Sequence, residues 1–137
     1  MTWSTSEIEY DGFPLLLRKP DHFNIWLFQG KFTQLVTIEH SLEKVFSNGL
    51  PYTSYNNTLV EFDHHMCWLF ESAKDGTIFL IETFAGKRNY CYYTLPHFDI
   101  NPLIESVKKV FKVTLQVVVK DDVGWGFIKE YPVQLFT

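Results

Sequence analysis

The sequence predicts an α+β domain, and three observations predict it. Apolar residues alternate with period two in several short stretches, "KFTQLVTIEH" most clearly. Two further stretches, Leu59–Ala73 and Leu103–Phe111, carry apolar residues at helical spacing. The two kinds of stretch interleave along 137 residues with no repeat, low-complexity tract or linker between them. The chain is therefore read as a single domain, 1–137, long enough to bury a core.

The elements follow in order. "DGFP" at 11–14 is a turn signal that sets Trp3–Tyr10 against the strand "PLLLRK". Residues 22–28, "HFNIWLF", are aromatic and β-branched enough for another strand, stopped at "QGK". In "KFTQLVTIEH", Phe32, Gln34, Val36 and Ile38 share one face, and Thr33, Leu35 and Thr37 the other. "SNGLP" at 47–51 is a loop, because Asn-Gly and Leu-Pro both resist helix.

A helix is expected over 54–73, capped by Thr53 or Ser54 and ended by "KDG" at 74–76. "TIFLIETFA" and "RNYCYYTL" are strands joined by a tight hairpin at "AGKR". Asp99 caps a second helix with Pro102 in its first turn and Leu103, Val107, Val110 and Phe111 inside. "VTLQVVVK" is a strand, and the tail "DDVGWGFIKEYPVQLF" is irregular, its apolar residues packing back on the domain. The central order, strand–helix–strand–strand–helix–strand, is the ferredoxin-like βαββαβ pattern with an extra N-terminal β-hairpin.

Composition narrows the function classes. Apolar residues make up 46% and charged residues 20%, which places the chain among folded proteins rather than disordered ones. Residues 1–68 hold four Lys/Arg against eight Asp/Glu, and residues 69–137 hold eight of each. The whole acidic excess behind the net charge of −4 thus sits in the first half. That argues against a nucleic-acid binder, which needs a basic stripe, and leaves a basic protein partner open. Thirteen Phe, seven Tyr and four Trp exceed what a core of this size needs, so some rings are expected at the surface.

Cys67 and Cys91 cannot make a disulfide framework and fit reduced thiols of a cytoplasmic protein. No signal peptide is visible in "MTWSTSEIEYDGF", and no apolar run reaches the length of a membrane span, so no membrane association is expected.

The chemically richest stretch is "EFDHHMCWLF", 61–70. At about 100° per residue, Phe62, Met66, Leu69 and Ala73 cluster on one side of the expected helix. Asn57, Val60, Glu61, His64, Cys67, Trp68 and Glu71 gather opposite, with His65 on the flank. His64, Cys67 and Glu71 align at i, i+3 and i+7, and zinc accepts all three ligand types. No second cluster supplies a fourth ligand, so neither metal nor cofactor is expected. Trp68 beside Glu61 and Glu71 is instead an aromatic ringed by acids, which suits docking of a basic partner, unless a second layer covers it.

"KDDVGWGF" offers a second patch of this kind, with Asp121 and Asp122 beside Trp125, whose ring either projects outward or seals the end of the sheet. No catalytic constellation is found: "GWG" at 124–126 lacks the lysine and following helix of a phosphate loop. The alternative to a binding protein is a small metal-dependent or cysteine hydrolase using His64, Cys67, Glu71 or Asp121.

Several landmarks resemble a bacterial family of unknown function related to the ribonuclease E inhibitor RraB. They are Trp3, "YDGFPLLLR" (10–18), "GLP" (49–51) before an acidic helix, "ETFAGKRNYCYY" (82–93) and "DDVGW" (121–125). The resemblance spans nearly the full length and implies a compact α/β domain without established catalytic residues. It also implies action by binding and restraining a ribonuclease. In general character the chain is similar to small acidic immunity proteins that neutralise nuclease toxins. The expected function is thus non-enzymatic capture of a basic nuclease or toxin domain, through Glu61, His64, Trp68, Glu71, Asp121, Asp122 and Trp125.

Overall fold

The computed structural model describes residues 2–21 and 24–136. Strands β1 (Trp3–Tyr10) and β2 (Phe13–Pro20) form a hairpin closed by Asp11 and Gly12, at φ 52° and 83°. Positive φ at both central residues gives the two-residue turn whose twist matches that of the flanking strands. Then come β3 (Gln34–Ser41), α1 (Thr53–Asn57), α2 (Val60–Cys67), β4 (Gly76–Phe84) and β5 (Lys87–Thr94). The chain ends with α3 (Asn101–Phe111), β6 (Leu115–Asp121) and the single turn α4 (Gly126–Lys129). Ala85 and Gly86, at φ 53° and 82°, close the β4–β5 hairpin in the same way as the first.

The result, among the described residues, is an α+β fold: one six-stranded sheet, every neighbouring pair antiparallel, in the order β1-β2-β4-β5-β3-β6, with four α-helices. Its two faces carry separate cores. Val36, Ile38, Tyr90 and Tyr92 face Phe62 and Met66 of α2 and Ile104 and Val107 of α3. Leu35, Cys91 and Tyr93 face the opposite way, against Ile25, Phe32, Trp125, Ile128 and Leu135. The residues of "YCYYT", Tyr90 to Thr94, are buried in succession because this part of β5 is covered on both sides.

A β-bulge in β4 lets one strand serve both cores. Ile78 pairs with Tyr92 and Leu80 with Cys91, leaving Phe79 as the extra residue. Ile78 and Ile81 therefore both face the helices, whereas Phe79 and Leu80 both face the other way. Strict alternation would have set Ile78 and Leu80 on one side.

Three expectations are corrected. Within 22–28, His22 and Phe23 lie outside the described residues, and Ile25–Phe28 form a 3₁₀ turn, not a strand. Asn24 Oδ1 starts that turn by accepting the Trp26 N–H at 3.2 Å, and Ile25, Trp26 and Phe28 pack down on the sheet. Strand propensity is chiefly a statement about packing on an apolar surface, and a turn lying on that surface meets the same demand.

The helix expected over 54–73 is two shorter ones. Thr58 Oγ1 bonds back to the Tyr55 carbonyl at 2.6 Å, and the Thr58 and Leu59 amides reach back only three residues, so the helix tightens and breaks. It stops at Cys67, where the Trp68 amide is shared between the His64 and His65 carbonyls. In α3, Val110 lies outside the buried stripe at 65% exposure, while Ile104 and Val107 are buried.

Candidate functional site

The inner stripe of α2 contains a charge. Leu59, Phe62, Met66 and Cys67 are buried, and Asp63 lies among them. Its carboxylate accepts both Nη1 and Nη2 of Arg18, at 2.9 and 2.5 Å, and the Tyr90 hydroxyl at 2.8 Å. Burial alone would raise the Asp63 carboxyl, but the Arg18 fork overrides it and holds the group below the ordinary carboxylate value. Arg88 lies nearby and is almost wholly buried, donating from Nε to Thr83 and from Nη2 to Asn56, each at 3.0 Å. Burial and then Arg88 hold His40 below its usual pKa. These groups pin α2 to β2 and β5.

Their chemistry bears on Cys67. Its thiol is buried with Sγ 3.9 Å from Asp63 Oδ2, and burial followed by the Asp63 charge pushes its pKa up to about 12. A thiol so held is a poor nucleophile at neutral pH. Cys67 was expected on the outer face with His64 and Glu71. It lies instead at the border of the inner stripe, and α2 ends before Glu71, so the three do not share one helix face. Among the described residues, no three His, Cys, Asp or Glu side chains converge as metal ligands.

The outer face of α2 is open. Val60 is 62% exposed and Trp68 40%, and Glu61, His64 and His65 on α2 and Glu71 beyond it are exposed as well. The His64 and Trp68 rings lie 6.3 Å apart, centroid to centroid. Trp68 is the residue just past the end of α2, its amide closing the helix on the His64 and His65 carbonyls. On β1, Glu7 and Glu9 pair with Leu16 and Pro14, so their side chains emerge on the α2 side of the sheet. Two acidic residues of the first half of the chain thus lie on the sheet face that carries α2.

The second expected patch does not form. Trp125 is fully buried, its ring stacked 4.3 Å from that of Tyr93 and its Nε1–H donated to the Phe32 carbonyl at 2.6 Å. Asp122 turns inward, accepting the Gly126 and Phe127 amides at 2.9 and 3.1 Å and the Tyr93 hydroxyl at 2.6 Å. It starts α4 rather than meeting a partner. Asp121 is exposed. Trp125 belongs to the core opposite α2, so Trp68 and Trp125 cannot serve one contact surface.

On that opposite face lies a groove of 830 Å³, with Glu82, Asn89 and Phe84 on its floor and Phe127, Glu130 and Tyr131 on its wall. Asn89 Nδ2 donates to Glu82 Oε1 at 2.9 Å, and the Tyr131 hydroxyl donates to Glu82 Oε2. Burial and then the Glu82 charge push Tyr131 far above the usual phenol value, so it remains a donor. The sequence reading passed over this set, although Glu82 and Asn89 are polar breaks in otherwise apolar strands. It also passed over Arg18, Asp63 and Arg88; an acid inside an apolar helical stripe was the available sign.

No helix among the described residues is long and apolar enough to cross a membrane. Comparison with known proteins finds no matching family, no matching curated protein and no matching solved structure.

Proposed function

We propose that this chain is a non-enzymatic binding protein that captures and restrains a basic protein partner, a nuclease or toxin domain, in the cytoplasm. The observation that carries the reading is Trp68, 40% exposed just past the end of α2, on a chain segment whose Glu61 and Glu71 are also exposed. Covering the remaining ring surface, about 100 Å², is worth about 2.5 kcal/mol. That is the weight of an interface hot spot. Acidic residues of β1 and α2 supply long-range attraction that speeds encounter and weakens with salt.

The strand order β4-β5-β3-β6, with α2 and α3 on one side, supports a ferredoxin-like core to which β1 and β2 are added. The resemblance to relatives of a ribonuclease inhibitor points to the same kind of partner. The buried Cys67 thiol weighs against a cysteine hydrolase.

The test compares capture by wild type and by Trp68→Ala combined with Glu71→Lys, using immobilised protein, host extract and mass spectrometry. A basic nuclease or toxin domain is expected on the wild type, released by salt and absent from the variant, with the thermal midpoint nearly unchanged. Equal capture by both proteins removes the proposed face. Stoichiometric zinc in purified protein supports the hydrolase instead.

A further inference from the structure

The sheet face opposite α2 is roofed over only part of its area. Trp125, Ile128 and Leu135 cover the rows through Tyr93 and Cys91. In the next row, β4–β5 pairing sets Glu82 beside Asn89, and both open into the groove.

Two features of that floor specify a ligand. Among the described residues, Asn89 Oδ1 is buried and has no hydrogen-bond partner, while Nδ2 of the same amide donates to Glu82. That donation fixes the amide's orientation, since flipping it would set oxygen against carboxylate. The unpaired atom is thus an acceptor, and leaving a buried acceptor unpaired costs its full desolvation. Among the described residues, Glu82 has two of its roughly four acceptor directions engaged, by Asn89 and Tyr131. A carboxylate and an unpaired carbonyl oxygen from neighbouring strands thereby lie together at the lining of one groove, the oxygen shielded from solvent. A planar cation with a fork of N–H donors complements that pair.

The surroundings agree in shape and charge. Tyr10, Leu15, Phe84 and Phe127 provide apolar and aromatic lining, and Glu130 adds a second negative charge. Of the two lysines along the groove, Lys87 is engaged by Glu39 at 3.5 Å, and Lys120 lies on β6. The volume lies within the range of sites for small organic molecules.

We propose that this groove binds a small organic cation, a guanidinium or amidinium group carried on an apolar body. The N–H fork seats on Glu82 and Asn89 Oδ1, and the body lies against Phe84 and Phe127. This site is separate from the Trp68 face and does not depend on a protein partner.

Titration with benzamidine and with agmatine, followed by amide chemical shifts, tests it, with benzoate and benzamide as matched controls. Saturable shifts centred on Glu82, Asn89, Phe127 and Tyr131 are expected for both cations and for neither control. Glu82→Gln and Asn89→Leu should each weaken benzamidine at least tenfold, while Trp68→Ala leaves it unchanged. Glu82→Gln keeps the side chain's shape and sheds its charge, so it decides the matter if Asn89→Leu does not fold. Absence of saturable shifts, an equal response to benzoate, shifts centred elsewhere, or undiminished binding by folded Glu82→Gln each overturn the proposal.

Discussion

Replacing Asp63 by Asn isolates the charge that pins α2 to the sheet. The amide keeps the shape of the carboxylate and one oxygen for the Tyr90 hydroxyl, which donates at 2.8 Å in the wild type. It loses the two-pronged bond to Arg18, at 2.5 and 2.9 Å, and turns an N–H₂ toward a guanidinium. Breaking a buried pair by removing one partner costs about 3–5 kcal/mol. Here the Arg18 side chain is 32% exposed and regains water, so the expected loss falls to about 2 kcal/mol.

For a chain of this size that lowers the melting midpoint by about 7 °C. The pH dependence gives a sharper test. The folded Asp63 pKa lies below its ordinary value of 3.8, so its stabilisation is fully present above 3.8. It disappears as the pH falls through the folded value, where the wild type also carries a neutral side chain. Thermal unfolding by circular dichroism, stepped downward from pH 7, should show a gap between the two proteins that closes in acid. Equal midpoints at pH 7, or a gap that stays constant into acid, refute the assignment of this charge as the anchor.

Two further outcomes are expected. Gly49 sits at φ +88°, where an added Cβ would come within 2.8 Å of the Ala85 backbone, whereas Gly12, at φ +83°, has open space. Gly49→Ala should therefore lose clearly more stability in urea unfolding than Gly12→Ala, whose cost is the left-handed strain of about 1 kcal/mol. Cys67 and Cys91 are both buried, and burial leads the causes that raise both thiols. Neither should react with a disulfide reagent at pH 8 until the protein unfolds, and full-rate labelling of the native chain would contradict the packing of α2.

The strands were legible because their signals are local. Asp11-Gly12 and Ala85-Gly86 mark two-residue turns, and the runs beside them alternate or are apolar throughout. The helix at 54–73 was legible as a helix but not in its length. Thr58 is an ordinary helical residue until its hydroxyl takes the Tyr55 carbonyl, a competition that residue type alone does not decide.

Trp68 was open to two readings for a related reason. Its angle on a helical wheel says which way it points, but not whether another layer reaches that side. Trp125 posed the same question, and the answers differ: the first ring is partly exposed and the second sealed. The Glu82–Asn89 floor escaped notice because the two residues are seven apart in sequence and meet only through the β4–β5 register. That register was implied by the "AGKR" hairpin, so pairing the two strands on paper would have placed the acid beside the amide.

The two proposed surfaces lie on opposite faces of one sheet, and this geometry keeps their tests separate. β4 and β5 alternate between them: Ile81, Thr83, Arg88 and Tyr90 belong to the α2 side, and Glu82 and Asn89 to the groove. A partner held by Trp68 leaves the groove uncovered, and a cation on Glu82 leaves Trp68 exposed. Capture lost in Trp68→Ala with Glu71→Lys but kept in Glu82→Gln locates the protein contact on α2. Benzamidine binding with the reverse pattern locates the small cation on the sheet. If either variant abolished both, the cause would lie in what the faces share, the β4–β5 hairpin, and the separate sites would give way to a change in the sheet itself.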